Sequence, residues 1–393
     1  MALKALMISK IGTAIALEKL TAYRAATRHD VPQSAEAMTP AWLTEVLCRD
    51  VPGAAVTDVE LTGGSDGTTS RRALRVTYNA TGKAAGLPTR IFAKTTPFFR
   101  SRLQQASIAK PQCEVGFYNE IRPELDMEAT TALHAAYDAR TGRTVMLFED
   151  IAATRNVRFL NIFDDVTRDM AEDMVRLMAS YHGPMWRDPR LSSGRYPWLR
   201  SVLTFQHRLN SELPFEACNY TGMDRASAWL SETLMRQKEA VWQAHMRSLE
   251  ICCDPTMPQT LIHWDVHIGN WYLTPERRMG LTDWNMNSGN WATDYAYAIA
   301  TALKTEDRRA WEHDLLKLYL EELGRWGVPD VPAFDDAWRA YRQQMFHGFM
   351  YWTFTLGIGA LQPRMQLPPV ALRNIERTGQ ALVDLESLQA VNS

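Results

Sequence analysis

The spacing of hydrophobic positions changes near residue 150. Before it, residues 56–80 (VTDVELTGGSDGTTSRRALRVTYNA) alternate apolar and polar around a glycine-rich centre, and TRIFAKTTP at 89–97 supplies a further strand. TVMLFEDI at 144–151 reads as a buried strand that runs into an acidic, looser stretch. These segments predict an antiparallel sheet of meandering strands. Two helices interrupt it. SAEAMTPAWLTEVLC at 34–48 starts at Thr39 ahead of Pro40 and carries Trp42, Leu43, Val46 and Leu47 on its apolar face. KPQCEVGFYNEIRPEL, from Lys110, places Val115, Tyr118 and Ile121 together. Beyond residue 150, Val166, Met170, Met174, Leu177, Met178 and Tyr181 recur at three- and four-residue steps, an amphipathic helix that ends in SYHGPMW. Methionines at this spacing are core residues, and His182 reads as a satisfied core histidine. Further helices are predicted at 222–248, 306–325, 331–356 and 367–390.

One stretch breaks the helical pattern. Residues 261–294 read LIHWDVHIGNWYLTPERRMGLTDWNMNSGNWATD, with His263, Asp265 and Asn270 in the spacing HxDxxxxN and Asp283 after a predicted hairpin. WYLT at 271–274 and GLTD at 280–283 are its strands, joined by the polar turn Pro275–Arg278. A turn centred between Glu276 and Arg277 sets Asn270 opposite Asp283, with Cα atoms about 5 Å apart. Two oxygen ligands at the open end of a hairpin suit a hard cation such as Mg²⁺, which keeps several waters and is shared with substrate phosphates. Asp265, on the loop before the hairpin, is placed to accept a hydrogen bond from a hydroxyl and align it for attack on a phosphoryl group. The plainer alternative is a tryptophan-rich structural hairpin with polar turn caps; the four-part spacing favours the chemical reading. His263 and His267 also have the spacing of a helical zinc pair, but Gly269 and strand-like residues follow and no HExxH glutamate lies between them.

HWDVHIGN at 263–270 and LTDW at 281–284 resemble the aminoglycoside phosphotransferase, choline kinase and ecdysteroid kinase-like group, relatives of the protein kinases that phosphorylate small molecules. The resemblance implies that Asp265 is the catalytic aspartate, within a catalytic pair His263 and Asp265, and that Asn270 and Asp283 are magnesium ligands. It also implies a structural role for Asp294, which precedes YAYAIATAL and is placed to cap that helix while bonding the catalytic loop. One departure is visible. The family usually has a small residue, most often glycine, where this chain has Trp264.

The amino-terminal strands fit the same scheme. Lys94 lies among the apolar Ile91, Phe92 and Ala93, a position that demands a charged partner. A lysine there reaches the phosphates of ATP when a carboxylate holds it. Glu114 and Glu120 are both available, and the resemblance selects Glu114, ahead of the Phe-Tyr pair. The turn through Gly63, Gly64, Ser65, Asp66 and Gly67, followed by Thr68, offers backbone N–H groups for phosphates, with Gly64, Gly67 and Thr68 as its candidates. Glu149 marks the connector whose backbone would hydrogen-bond an adenine.

The chain has 393 residues, a formal net charge of −2, 46% hydrophobic and 22% charged residues. That length favours two lobes over a single core. With so little net charge and no Lys/Arg run, nucleic acid is not an expected partner. Five cysteines without CxxC spacing read as free thiols of a reducing, cytoplasmic compartment. No formally charged residue occurs between Arg342 and Arg364, but Gln343, Gln344, His347 and three glycines make a membrane span a poor reading there. The expected fold class is α+β, a protein-kinase-like bilobal fold with a small antiparallel-sheet N-lobe and a larger, mainly helical C-lobe. Its divisions are an N-terminal helical leader at 1–33, a nucleotide-binding lobe at 34–149 and a catalytic, acceptor-binding lobe at 150–393. The expected activity is ATP- and Mg²⁺-dependent phosphorylation of a small-molecule alcohol. The alternatives are a catalytically silent kinase-fold binder and a protein kinase. The second is disfavoured by the short span from Asp283 to Asp294, which holds no Ala-Pro-Glu sequence. Finally, Trp338, Tyr341, Met345, Phe349 and Trp352 fall on one face of the helix predicted at 331–356, and Phe346, Tyr351 and Phe354 fall off it. This aromatic excess, with acidic residues only at Asp335 and Asp336, favours an apolar or singly charged acceptor over a polycationic one.

Overall fold

The computed structural model describes residues 2–359 and 365–393, with side chains from residue 7 onward. The chain forms two compact units, Met1–Pro123 with Thr130–Asn156, and Glu124–Ala129 with Val157–Ser393.

The first unit contains, in chain order, α1 (Ala2–Leu20), α2 (Pro40–Leu47), β1 (Val56–Asp66), β2 (Ser70–Tyr78), α3 (Ala80–Ala84), β3 (Arg90–Thr95), α4 (Phe99–Ser107), α5 (Lys110–Gly116), β4 (Ala132–Asp138), β5 (Arg143–Glu149) and α6 (Ile151–Thr154). Alternation produces what it predicts, a five-stranded antiparallel sheet in the order β1-β2-β3-β5-β4. Leu74, Val76, Ile91, Ala93, Val145 and Leu147 form a buried face of this sheet, packed with Trp42, Leu43 and Val46 of α2. Removing each such side chain from water is worth about 1.5–3 kcal/mol. The Thr-Pro signal is real: the Thr39 hydroxyl accepts the Trp42 N–H at 3.1 Å and so starts α2. A buried ion pair ties α1 to α4, Arg102 donating to the two Glu18 oxygens at 2.6 and 2.9 Å.

The second unit contains β6 (Arg158–Phe159), α7 (Arg168–His182), α8 (Val202–Glu212), α9 (Phe215–Arg225), α10 (Glu232–Arg236), α11 (Lys238–Cys252), β7 (Thr260–Ile262), β8 (Trp271–Leu273), β9 (Met279–Leu281), β10 (Asn287–Gly289), α12 (Ala292–Ala302), α13 (Thr305–Arg325), α14 (Phe334–Gln343), α15 (Phe346–Gly357), α16 (Pro368–Asp384) and α17 (Ser387–Ala390). Every residue of α12 is buried, and α7, α13, α14, α15 and α16 pack around it. A helix apolar on all sides must be enclosed. Two small sheets, β6-β8-β9 and β7-β10, complete the unit.

Three predicted helices are broken, the one at 367–390 into α16 and α17 at Glu386, which is left-handed at φ +48°. In place of one helix over 222–248 the chain makes α9, α10 and α11, because Leu230 is extended and the Ser231 hydroxyl caps a new helix by accepting the Leu234 N–H at 3.3 Å. The helix predicted at 331–356 is α14 and α15, interrupted at Gln344. The Gln344 amide is buried and donates to the Ser248 carbonyl at 2.9 Å while its oxygen accepts from Thr293 at 2.9 Å. Trp338 and Trp352 therefore sit on different helices, and the single aromatic face does not exist. Among the described residues no helix is long and apolar enough to cross a membrane.

Candidate functional site

In the first unit, β3 presents Lys94 inward, and the lysine donates to both Glu114 oxygens at 2.7 and 2.9 Å. Lys94 and Glu114 are 6% and 2% exposed, so each charge depends on the other. Glu120 lies outside this pair, on the π-helical turn that follows α5.

The glycine-rich segment differs from its prediction. Residues 63–66 belong to β1, and the turn shrinks to Gly67, Thr68 and Thr69. Gly64 pairs with Arg72, and a Cβ there would lie 2.3 Å from the Arg71 carbonyl, so close strand pairing demands the glycine. The Gly67 N–H is used by the Thr69 carbonyl at 3.0 Å. Arg72 fixes the strand end through Asp66 at 2.9 Å and Glu36 at 2.7 Å. Glu149 is half-buried at the end of β5, opposite Ile91, and the next N–H, that of Asp150, bonds the Arg90 carbonyl at 3.1 Å.

The second unit gathers the 261–294 stretch around one buried carboxylate. Asp294 is wholly buried, and its oxygens accept the N–H groups of His263 at 2.6 Å and Trp264 at 2.9 Å and the Tyr181 hydroxyl at 2.8 Å. The buried His182 lies 3.5 Å from it. Burial pushes the Asp294 carboxyl up, but His182, His263 and the Trp264 N–H outweigh it and hold the group below the usual carboxylate range. Asp294 lies in the first turn of α12 rather than ahead of it, so it anchors the loop and is not that helix's N-cap.

From this anchor the loop is tied on all sides. The His263 Nδ1 accepts the Asp265 N–H at 3.1 Å, and its Nε2 donates to the Thr282 carbonyl at 3.0 Å. Burial lowers the His263 pKa, which keeps the ring neutral as this bonding requires. Both ring nitrogens are thus spent on main chain. The Asn270 amide donates to the Asp265 carbonyl at 2.7 Å, so its oxygen is the ligand-capable atom. With its N–H and C=O both bonded, Asp265 keeps a side chain 33% exposed, 3.8 Å from the His267 Nε2.

The hairpin register is one residue away from the predicted one. Trp271 faces Leu281 and Leu273 faces Met279, and Thr282 donates its N–H to the Asn270 carbonyl at 2.9 Å. Asn270 thus faces Thr282. Asp283 follows in a left-handed conformation, φ +63°, that turns the chain out of the strand. Trp264, at φ +73°, is left-handed too. Such a backbone costs a residue other than glycine about 1–3 kcal/mol. Glycine at this position would avoid that cost, which gives the departure at Trp264 a physical meaning. The indole is buried, stacked on His347 at 3.6 Å and edge-on to Phe205 at 6.2 Å. It points into the helical core.

Chemically, the loop offers a partly exposed carboxylate fixed by its own backbone and, beside it, an amide oxygen and a second carboxylate. Among the described residues no cluster of three or more His, Cys, Asp or Glu suits a metal ion. Asn270 and Asp283 together are an all-oxygen donor set of the kind a hard cation takes when waters and phosphates complete its shell. Sequence reasoning weighed His347 only as a polar residue that argues against a membrane span, and His267 only as half of a zinc pair. The aromatic company of His267, Trp352 at 5.2 Å and Tyr297 at 6.5 Å, comes from distant elements and carries no local signal.

The sequence matches no protein-family profile and no curated protein. Solved structures do match. A microcompartment-associated aminopropanol kinase superposes with a TM-score of 0.50 at 15% identity, covering 84% of this chain and 92% of that one. An amicoumacin kinase complex with AMP-PNP and Ca²⁺ gives 0.48 at 11% identity, covering 82% and 88%. A spectinomycin phosphotransferase complex with ADP gives 0.47 at 10%, covering 87% and 97%. The chain therefore has the α+β, protein-kinase-like fold found in small-molecule kinases, an antiparallel-sheet unit followed by a mainly helical one. The aminopropanol kinase is a small-molecule kinase, as are the proteins that the HxDxxxxN pattern and the later Asp resemble.

Proposed function

We propose that this protein is a phosphotransferase that uses ATP and Mg²⁺ to phosphorylate a hydroxyl group of a small molecule. The observation that carries the reading is the Asp265 loop. Its main chain is fixed by His263 and Asn270 while its carboxylate stays partly exposed. A carboxylate so held accepts a hydroxyl proton's hydrogen bond and aims the oxygen at a phosphorus atom, which is most of what phosphoryl transfer asks of a protein. Asp265 is the catalytic residue in this scheme and His263 a positioning residue. Asn270, through its side-chain oxygen, and Asp283 would hold the cation. When bound, the cation supplies neutralising charge for the transferred phosphate. Lys94, oriented by Glu114, would contact the nucleotide phosphates, and the main chain at Glu149 would contact the adenine.

The segment between Asp283 and α12 supports a small acceptor. Residues 287–289 pair with β7, which consumes the span that a peptide-binding activation segment needs. The aromatic surroundings of His267, beside Asp265, favour an apolar or singly charged alcohol over a polycationic one.

The test separates two roles by calorimetric titration and transfer assays. Asp265→Asn should cut transfer by about 10³-fold with nucleotide affinity nearly unchanged. Asp283→Asn should also weaken Mg²⁺-nucleotide binding about tenfold or more. Equal loss of nucleotide affinity in both variants contradicts the assignment.

A further inference from the structure

We propose that His347 is a positioning residue that aims Asp265 by locking the peptide between Trp264 and Asp265; this rests on the phosphotransferase reading. His347 is buried on α15, and its Nε2 donates to the Trp264 carbonyl at 2.7 Å. The other end of that peptide, the Asp265 N–H, is held by the His263 Nδ1 at 3.1 Å. A peptide unit is planar, so gripping its C=O and its N–H fixes the whole plane. The direction of the Asp265 Cα–Cβ bond follows from it.

The lock is needed because Trp264 is left-handed at φ +73°. Without restraint a tryptophan relaxes toward the right-handed or extended regions, and the next residue swings with it. Three contacts oppose that movement: Asp294 takes the Trp264 N–H at 2.9 Å, His347 takes its carbonyl, and the His347 ring stacks on the indole at 3.6 Å. Tyr351 closes on the histidine at 4.4 Å and Tyr297 at 5.0 Å, so the ring has little room to turn. Its Nδ1 is buried with no hydrogen-bond partner among the described residues, which leaves the proton on Nε2, where the acceptor is. His347 meets no reacting group in this scheme. It acts through the Trp264 peptide alone.

Three variants read the proposal. Glutamine places an amide nitrogen at the reach of the imidazole Nε2, asparagine places one a bond short, and leucine has none. His347→Leu should lower kcat about 10²-fold, the scale of a small misplacement of a catalytic group. KM for nucleotide and acceptor should move less than about threefold, since neither touches His347. His347→Gln should recover at least about tenfold of the loss, and His347→Asn should not. In ¹⁵N spectra the wild-type His347 should be the neutral Nε2–H tautomer. The proposal is overturned if Gln is no better than Leu, if the Leu defect lies in KM, or if the wild-type ring carries its proton on Nδ1. A wild type that transfers no phosphoryl group to any acceptor removes the phosphotransferase reading and the proposal with it. A wild type that turns over alongside three equally active variants removes the proposal alone.

Discussion

Asp294→Asn should weaken the second unit and the loop together, and its size follows from which oxygen holds what. Oδ2 accepts from His263 N–H and Tyr181, and Oδ1 from Trp264 N–H alone. An asparagine therefore keeps its oxygen at the Oδ2 site and turns its NH₂ toward the Trp264 N–H, donor against donor. One hydrogen bond to a charged acceptor is lost, worth about 1.5–3 kcal/mol, and two more fall toward the neutral value of about 1 kcal/mol each. Burying a neutral amide in place of a carboxylate returns part of this, so the expected net loss is about 2–4 kcal/mol. Trp264 cannot easily move aside, because its carbonyl is tied to His347. The strain passes to the Asp265 peptide, and kcat should drop while nucleotide affinity holds. Urea denaturation followed by tryptophan fluorescence, paired with transfer rates, measures both effects. Stability within about 0.5 kcal/mol of wild type, the usual range for a neutral surface change, together with an unchanged rate would refute the anchoring role.

Other outcomes follow from the buried charges. Lys94→Met takes the ammonium away from the buried Glu114 carboxylate, so it should cost about 3–5 kcal/mol, and Lys94→Met with Glu114→Leu should recover most of that in denaturant titrations. An additive double variant would contradict the pairing. Burial lowers His134 to about 4, His245 to about 3 and His347 to about 4. The unfolded chain then binds protons below about pH 6.5 that these folded rings refuse, so the stability they confer is complete above that pH and lost as pH falls toward 4. Each of the rings at about 4 should cost about 2 kcal/mol by pH 5, and an unfolding midpoint that is flat from pH 7 to 5 would contradict their burial.

Much of the fold was legible because it is written in short-range signals. Thr39 before Pro40, the alternation through β1 and β2, and the helical spacing of Met170, Met174 and Met178 each declare an element within a few residues. HxDxxxxN was legible for the same reason, since its residues share one loop. Long-range partners were not. Gln344 breaks a helix because Ser248 and Thr293 draw its amide, and nothing near Gln344 in the chain says so. The hairpin register moved by one because the turn closes with Thr274 bonded to Arg278 and Arg277 in a left-handed backbone, which an arginine does not announce as a glycine would. Likewise the glycines at 63 and 64 read as a turn, yet both lie in β1, and Gly64 allows the close approach of β2.

The most direct test of the account is to incubate purified protein with γ-labelled ATP, Mg²⁺ and a panel of small hydroxyl compounds that spans apolar alcohols, singly charged amino alcohols and polycationic aminoglycosides. The account predicts a product heavier by one phosphoryl group, formed only with Mg²⁺, absent with Asp265→Asn, and best with an apolar or singly charged acceptor. A panel that yields no phosphorylated product, while the protein still binds nucleotide, would contradict it in favour of a catalytically silent kinase-fold binder.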